Sequence, residues 1–505
     1  MVHSSAAPGS SAKASFDPRR TGPGATRACT IAVVLALCAL MPMSSLASSP
    51  PPLREVRFAA RATLYALPLV VMDLTREQML EYPGVKPNRF VNRPVLANAF
   101  SRTVVRPNVD TLYTSAWLDL SEGPMILTLP PDHGRFYVVQ CMDAWTNVFA
   151  DPGTRTLGDR PMKYAIVGPD WHGSLPPGME GIHAPTRMVW VLARIHVANR
   201  DDLAPARRFQ SQLDIRPLSR LHDPLFHSIY PRARSRPVKR PPMLTVLKRM
   251  GAEAYFDRFR RLERANPPVP PDPRFDSRVL KALGLDRGDS GLAPLNWREK
   301  RRVLTAGYAL ALQMLSRPDR LQSLLRRPQV NGWIMPGTGP QGVFGTHYVA
   351  RAVVSLLGLA EGLRADALYF KAVVDVDGKQ LDGSRRYHLT FLPRQTPPVH
   401  AFWSLTAYDD HGYLVANPYD RYGIGSGDPL TGQPDGSLVI YLQPDPPGSA
   451  AHRANWIPTP AGYAYQITLR CYWPDTSLLE GHWTPPAVTP AWSERPSAGR
   501  PAHAE

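Results

Sequence analysis

At 505 residues the chain exceeds the roughly 250–300 residues at which one hydrophobic core stops growing, so two or three domains are expected. Its 55 prolines and 36 glycines exclude an all-helical bundle and favour short strands joined by turns. The formal charge of +17 rests on arginine, which outnumbers lysine by 50 to 9, and no part of it is read as a nucleic-acid surface.

At the N-terminus Arg19, Arg20 and Arg27 precede an apolar run at 31–40 and the small-residue site Ser45-Leu46-Ala47. That order reads as an export signal cleaved near Ala47, which places the mature protein in the periplasm or outside the cell. The run is shorter than the about 20 apolar residues that span a bilayer, and no later stretch is expected to reach that length, so no transmembrane helix is expected after cleavage. Sec and twin-arginine export are not distinguished by these residues. Cleavage removes Cys29 and Cys38 and leaves +14 of charge; Cys141 and Cys471 remain, expected as buried free thiols in different domains.

Apolar residues at helical spacing over 54–80 (Val56, Phe58, Leu64, Leu67, Val70, Val71) predict a packed helix interrupted at Pro68. From 111 to 197 the pattern becomes short β-prone runs at 126–129, 136–142, 164–167 and 188–197, which suggest an antiparallel sandwich or barrel. Residues 201–365 read mainly as helices, at 243–263, 297–316 and 347–363, with proline-rich breaks at 267–273 and 336–340. Between 231 and 330 there are 23 basic and 9 acidic residues, a surplus suited to an anionic lipid surface or acidic envelope polymer; the plainer reading is a solvated basic face. Beyond 366 strands return at 369–376, 387–392, 400–408, 438–442 and 463–472, with turns at Asp377-Gly378 and Asp410-His411-Gly412. The expected organisation is a signal at 1–47, a β domain with an N-terminal helix at 48–200, a basic helical segment at 201–365, a second β domain at 366–488 and a disordered tail at 489–505.

Three segments set charges or amides beside aromatic rings: Asp110-Thr111-Leu112-Tyr113, Asp143-Ala144-Trp145-Thr146-Asn147 and Arg421-Tyr422. Rings that stack and side chains that form directional hydrogen bonds suit sugar or peptide recognition. Asp110, Tyr113, Asp143, Trp145, Asn147, Trp403, Arg421 and Tyr422 are therefore ligand-binding candidates. The alternative is that these polar groups are buried and hydrogen-bonded to hold loops or join domains. Asp110 and Asp143 form a candidate carboxylate pair for hydrolysis, provided they lie roughly 5–10 Å apart. No cofactor or metal site is expected. Gly337-Thr338-Gly339-Pro340-Gln341-Gly342 has G-x-G-x-x-G spacing without the preceding buried strand, Ser426 lacks the glycine two residues earlier that a nucleophile elbow needs, and neither His-Glu-x-x-His nor CxxC occurs.

Longer motifs add a resemblance. Arg106-Pro107-Asn108-Val109-Asp110-Thr111-Leu112-Tyr113, Gly134-Arg135-Phe136-Tyr137 and Ile166-Val167-Gly168-Pro169-Asp170-Trp171 are followed by Leu381-Asp382-Gly383, Phe402-Trp403-Ser404-Leu405-Thr406, Asn417-Pro418, Asn455-Trp456 and Arg470-Cys471-Tyr472-Trp473-Pro474. Over about residues 60–488 the chain resembles the exported bacterial proteins that pair the domains of unknown function DUF1254 and DUF1214. The resemblance implies an N-terminal β-sandwich, a helical insert and a C-terminal jelly-roll-like sandwich, with no established chemistry. One departure is Thr156-Leu157-Gly158-Asp159-Arg160, where relatives often carry a glycine-rich Thr-Gly-Thr-Gly segment. The expected function is an envelope binding or interaction scaffold with a ligand groove where the two β domains meet; whether it is an enzyme stays open, the alternative being a hydrolase of a carbohydrate or other polymer through Asp110, Asp143 or Arg421.

Overall fold

Nine strands of the first β region pair almost entirely antiparallel: β1 (Val91–Arg93), β2 (Thr111–Asp119), β3 (Met125–Leu129), β4 (Tyr137–Met142), β5 (Val148–Ala150), β6 (Met162–Val167), β7 (Glu180–His183), β8 (Met188–His196) and β9 (Asp214–Pro217). They were obtained in a computed structural model that describes residues 50–102, 105–230, 240–268, 297–317, 327–337 and 339–491. The expected export signal, Cys29 and Cys38 lie outside those residues, as do 492–505 of the tail and much of the basic stretch.

Two sheets, ordered β1-β2-β8-β4-β5 and β7-β6-β3-β9, stack face to face. Alternation decides which side chains meet between them. Leu112, Ala116 and Leu118 on β2, Val139 and Cys141 on β4, and Val189, Val191 and Ile195 on β8 face Leu127, Ile166 and Ile215 of the other sheet. The opposite face of the first sheet is also covered. Trp117, Met142 and Trp190 at one end pack under helices, while Phe136 and Val138 at the other pack against the second β region.

The covering helices are α1 (Leu53–Leu80), α4 (Met243–Ala265), α5 (Trp297–Leu315) and α6 (Tyr348–Leu357); α2 (Thr154–Leu157) and α3 (Leu203–Gln210) belong to the first sandwich. α1 is charged towards its ends but almost wholly apolar and buried continuously from Ala62 to Leu74, the signature of a core helix. Two expectations change here. α1 runs through Pro68 without a break, because burial on every side outweighs the roughly 3 kcal/mol a helical proline costs. It is also long and apolar enough to cross a membrane, contrary to the sequence reading, but its apolar surface is spent on α4, α5 and α6. α1 and α5 approach so closely that a Cβ on Gly307 would stand 2.3 Å from that of Ala59.

The second β region holds β10 (Gln329–Val330), β11 (Trp333–Ile334), β12 (Ala367–Ala372), β13 (Tyr387–Phe391), β14 (Val399–Asp409), β15 (Gly423–Gly425), β16 (Leu438–Gln443), β17 (Trp456–Pro458), β18 (Tyr465–Pro474) and β19 (Val488–Pro490). They form sheets ordered β10-β11-β12-β18-β14-β15 and β17-β16-β13-β19, packed around Phe370, Leu389, Leu405, Ile440 and Leu469. The fold is thus multidomain and β-rich, two sandwiches with helices between them. The tail was expected to be disordered from 489, but β19 pairs with β13 because Val488 is fully buried and its carbonyl accepts from Val376. Cys141 and Cys471 are free and buried, one in each sandwich.

Candidate functional site

Strand register composes the site. On the outer face of the large C-terminal sheet, β12, β18 and β14 align Tyr369, Arg470 and Ser404 in one row and Lys371, Thr468 and Thr406 in the next. Ala367, Tyr472 and Phe402 form the row on the other side. On the facing sheet, β2, β8 and β4 align Tyr113, Arg194 and Val138, followed by Ser115, Leu192 and Gln140. The loop before β2 adds Arg106, Asn108 and Asp110.

An aromatic floor closes one end of this crevice, where Phe402 stacks on Tyr472 at 4.3 Å between ring centroids and on the His196 imidazole at 3.6 Å. Above it lies a polar network. Arg470 donates to Thr406 Oγ1 (3.0 Å), Tyr408 Oη (2.6 Å) and the Arg106 carbonyl (3.0 Å), and Asn108 donates to Tyr472 Oη. Arg194 donates to the Ala360 carbonyl at 2.8 Å, tying the helical layer to the same place. Asp110, Arg194 and Lys371 sit deep between the two sheets, and together with Tyr113 and Tyr369 they keep part of their surface accessible. Asp110 Oδ2, Thr111 Oγ1, Thr468 Oγ1 and both amide atoms of Gln140 are buried without hydrogen-bond partners. Such atoms in a folded interior call for a ligand or ordered water.

Burial raises the Asp110 carboxyl to about 6, against the pull of Ser404 and Arg470. A folded-state value above the unfolded one means that this group's contribution to stability is full below about pH 4 and is lost as pH rises through about 6. Asp110→Asn should therefore gain on the parent by up to about 3 kcal/mol between pH 4 and pH 7 in chemical denaturation. A difference that does not vary with pH would refute this account of Asp110.

The other sequence-derived candidates lie elsewhere. Asp143 follows β4 at the far end of the first sheet; counting registers along β8 separates it from Asp110 by on the order of 25 Å. The carboxylate-pair reading is therefore corrected, since hydrolytic pairs stand roughly 5–10 Å apart. Asp143 instead closes its own loop, accepting from Trp145 N, Asn147 N and Asn147 Nδ2, each at 2.8 Å. Trp145 is fully buried against Tyr65 and Phe259, its Nε1 donating to the Asn266 carbonyl, and Asn147 Oδ1 accepts from Phe344 N. Trp403 points into the C-terminal core with Leu405, on the opposite face from Arg470. Arg421 is a tether, donating to the carbonyls of Arg453 and Ala454. Tyr422 borders a separate cavity of about 260 Å³ lined also by Asn417, Tyr419, Pro458 and Thr459. Of the glycine-spaced segment, Thr338 lies outside the described residues, and Gly342 adopts φ 74° and accepts from Val148 N, as expected of a turn.

Arg106, Arg194, Tyr369, Lys371, Tyr408 and Arg470 were not nominated from sequence. A signal existed: along β18, Tyr465, Ile467, Leu469 and Cys471 alternate with Gln466, Thr468, Arg470 and Tyr472, and a polar face interleaved with core residues marks a second interface. Within the basic stretch, Arg258 pairs with Asp73 and Glu77 on α1, and Arg240 pairs with Glu81, so part of that charge holds the helices together.

Residues 87–217 match DUF1254 and residues 366–476 match DUF1214, each a protein of unknown function. The two walls of the crevice come from these two segments. No curated protein matches the chain. Among solved structures, the VPA0106 protein from Vibrio parahaemolyticus aligns with a TM-score of 0.63 at 21% identity, over 87% of this chain and 100% of its own, which shows a shared fold. An uncharacterized protein from Burkholderia cenocepacia aligns with a TM-score of 0.40 at 12% identity, over 87% and 93% of the two chains.

Proposed function

We propose, for a chain that pairs a DUF1254 domain with a DUF1214 domain, that it is an exported cell-envelope binding protein whose ligand lies in the crevice between those domains. The observation that carries this reading is the convergence of partly accessible tyrosines and cations with buried, unpartnered polar atoms from both domains. Neither domain builds the site alone. The carboxylate-pair form of the hydrolase alternative loses its support, because Asp110 and Asp143 do not converge.

Ligands that prefer the folded state raise its melting point. The purified protein, screened by thermal shift against envelope sugars, muropeptides and small organic acids, is expected to show a saturable rise that Tyr113→Ala weakens at least tenfold in ligand concentration. A flat response across the panel, or a rise indifferent to Tyr113, would sink the crevice reading. Export rests on the N-terminal pattern and predicts a mature chain beginning after Ala47 in the periplasmic fraction; an intact N-terminus in the cytoplasm would refute it. Contact of residues 231–330 with an anionic lipid or polymer belongs to the same proposal and predicts co-sedimentation with anionic vesicles that fades as salt rises.

A further inference from the structure

Charge in the crevice does not balance. Arg470 and Lys371 stand diagonally on adjacent strands, on the order of 7 Å apart at their backbones. The Arg106 backbone carbonyl accepts from Arg470 and its charge acts through space on both Arg470 and Lys371, while Arg194, on the other sheet, acts through space with Tyr369 and Tyr472. Among the described residues no carboxylate comes within 4.0 Å of any of these four cations. The carboxylates nearest in the sequence of interactions are Asp110, which acts on Arg470 only through space, and Glu361, which pairs with Arg327 at 3.6 Å.

A buried cation without a counter-charge costs several kcal/mol, and arginine cannot escape that cost by losing its proton. The cost registers at two of the four: burial, with Arg106 and Arg327 adding to it, pushes the Lys371 ammonium down to about 8, and burial also lowers Arg106, whereas against burial the neighbouring tyrosines hold Arg194 above its ordinary value and tyrosines with Asp110 do so for Arg470. The missing partner is therefore negative. The hydroxyls of Thr111 and Thr468, buried and unpartnered, are donors suited to oxygen acceptors. The Tyr113 and Tyr369 rings, partly accessible and each already beside a guanidinium (Arg194 at 5.9 Å and Arg470 at 5.8 Å), border the space left for the uncharged remainder of a ligand.

We infer that the crevice binds a small ligand bearing an oxyanion, a carboxylate or a phosphate, held by Lys371, Arg106 and Arg470 with its body between Tyr113 and Tyr369. This rests on the crevice being a ligand site. It requires no covalent step.

The test is calorimetric titration of the purified protein with inorganic phosphate, benzoate and glucuronate, beside the neutral benzyl alcohol and glucose. At least one anionic probe is expected to bind saturably and at least tenfold more tightly than its neutral analogue, with the phosphate and carboxylate arms deciding which oxyanion is preferred. Lys371→Met should weaken that binding at least tenfold while leaving the ligand-free protein as stable as the parent or more so, since it removes an uncompensated charge. A lysine with a purely structural role would instead lose stability on the same change. Neutral analogues binding as well as the anions, or anion binding indifferent to both Lys371→Met and Arg106→Gln, would overturn the oxyanion class while leaving the crevice reading intact. No saturable binding by any probe would overturn the class, and thermal-shift hits from uncharged compounds lost in Tyr113→Ala would then show that the crevice reading survives it.

Discussion

Trp145→Ala is expected to lower the unfolding free energy by about 3–5 kcal/mol, the range for truncating a fully buried large aromatic side chain. The indole lies between α1 and α4, with its ring centroid 5.1 Å from that of Tyr65 and 6.2 Å from that of Phe259. Its Nε1 donates to the Asn266 carbonyl, and Asn266 Oδ1 in turn accepts from Met188 N at the start of β8. Removing the ring thus opens a cavity and strands a buried carbonyl between the helical layer and the first sheet. Chemical denaturation would measure the loss. A change under about 1 kcal/mol would show that Trp145 is free to serve a ligand, as the flanking Asp143 and Asn147 suggested from sequence.

Gly383→Ala should destabilise by about 3 kcal/mol, at the upper end of what an overpacked site costs. A Cβ there would stand 1.5 Å from the Pro460 carbonyl oxygen and 2.7 Å from its carbon, so backbone must move instead of a flexible side-chain end. The crossing is held from both sides: Gly383 N donates to the Tyr463 carbonyl, and Asp382 bridges to Ala464. This explains physically why glycine stands in the Leu381-Asp382-Gly383 motif. A melting temperature within one degree of the parent would contradict the close approach.

Both effects concern residues whose type was visible in the sequence and whose role was not. Asp143, Trp145 and Asn147 were singled out because a carboxylate and an amide flank an indole, and that juxtaposition is equally the recipe for a self-satisfied loop. Burial raises the Asp143 carboxyl to about 6 while Asn147, Arg351 and the loop's N–H groups draw it down, and of these partners only Arg351 is distant in sequence. Asp110 and Tyr113 came from the same reasoning and fall in the crevice, because β2 carries them to the end of the sheet that the helices leave to the second domain. Trp403 shows the value of phase: it shares its face with Leu405 and Ala407, which are core, while Phe402, Ser404, Thr406 and Tyr408 take the other side.

The sequence by itself determined the longer strands and helices, the division into two β regions with helices between, and the domain resemblance. Those properties follow from periodicity and local turn chemistry, which act over a few residues. It also showed that strands β14 and β18 alternate polar with apolar residues. Only the tertiary structure decided that the polar sides of these strands face the first sheet, that Lys371 and Arg470 lie across from Arg194, and that Asp110 and Asp143 stand at opposite ends of one sheet. It likewise decided that α1 spends its apolar surface on other helices. Which face meets which is fixed by packing between segments hundreds of residues apart, and no local pattern along the chain records a long-range contact.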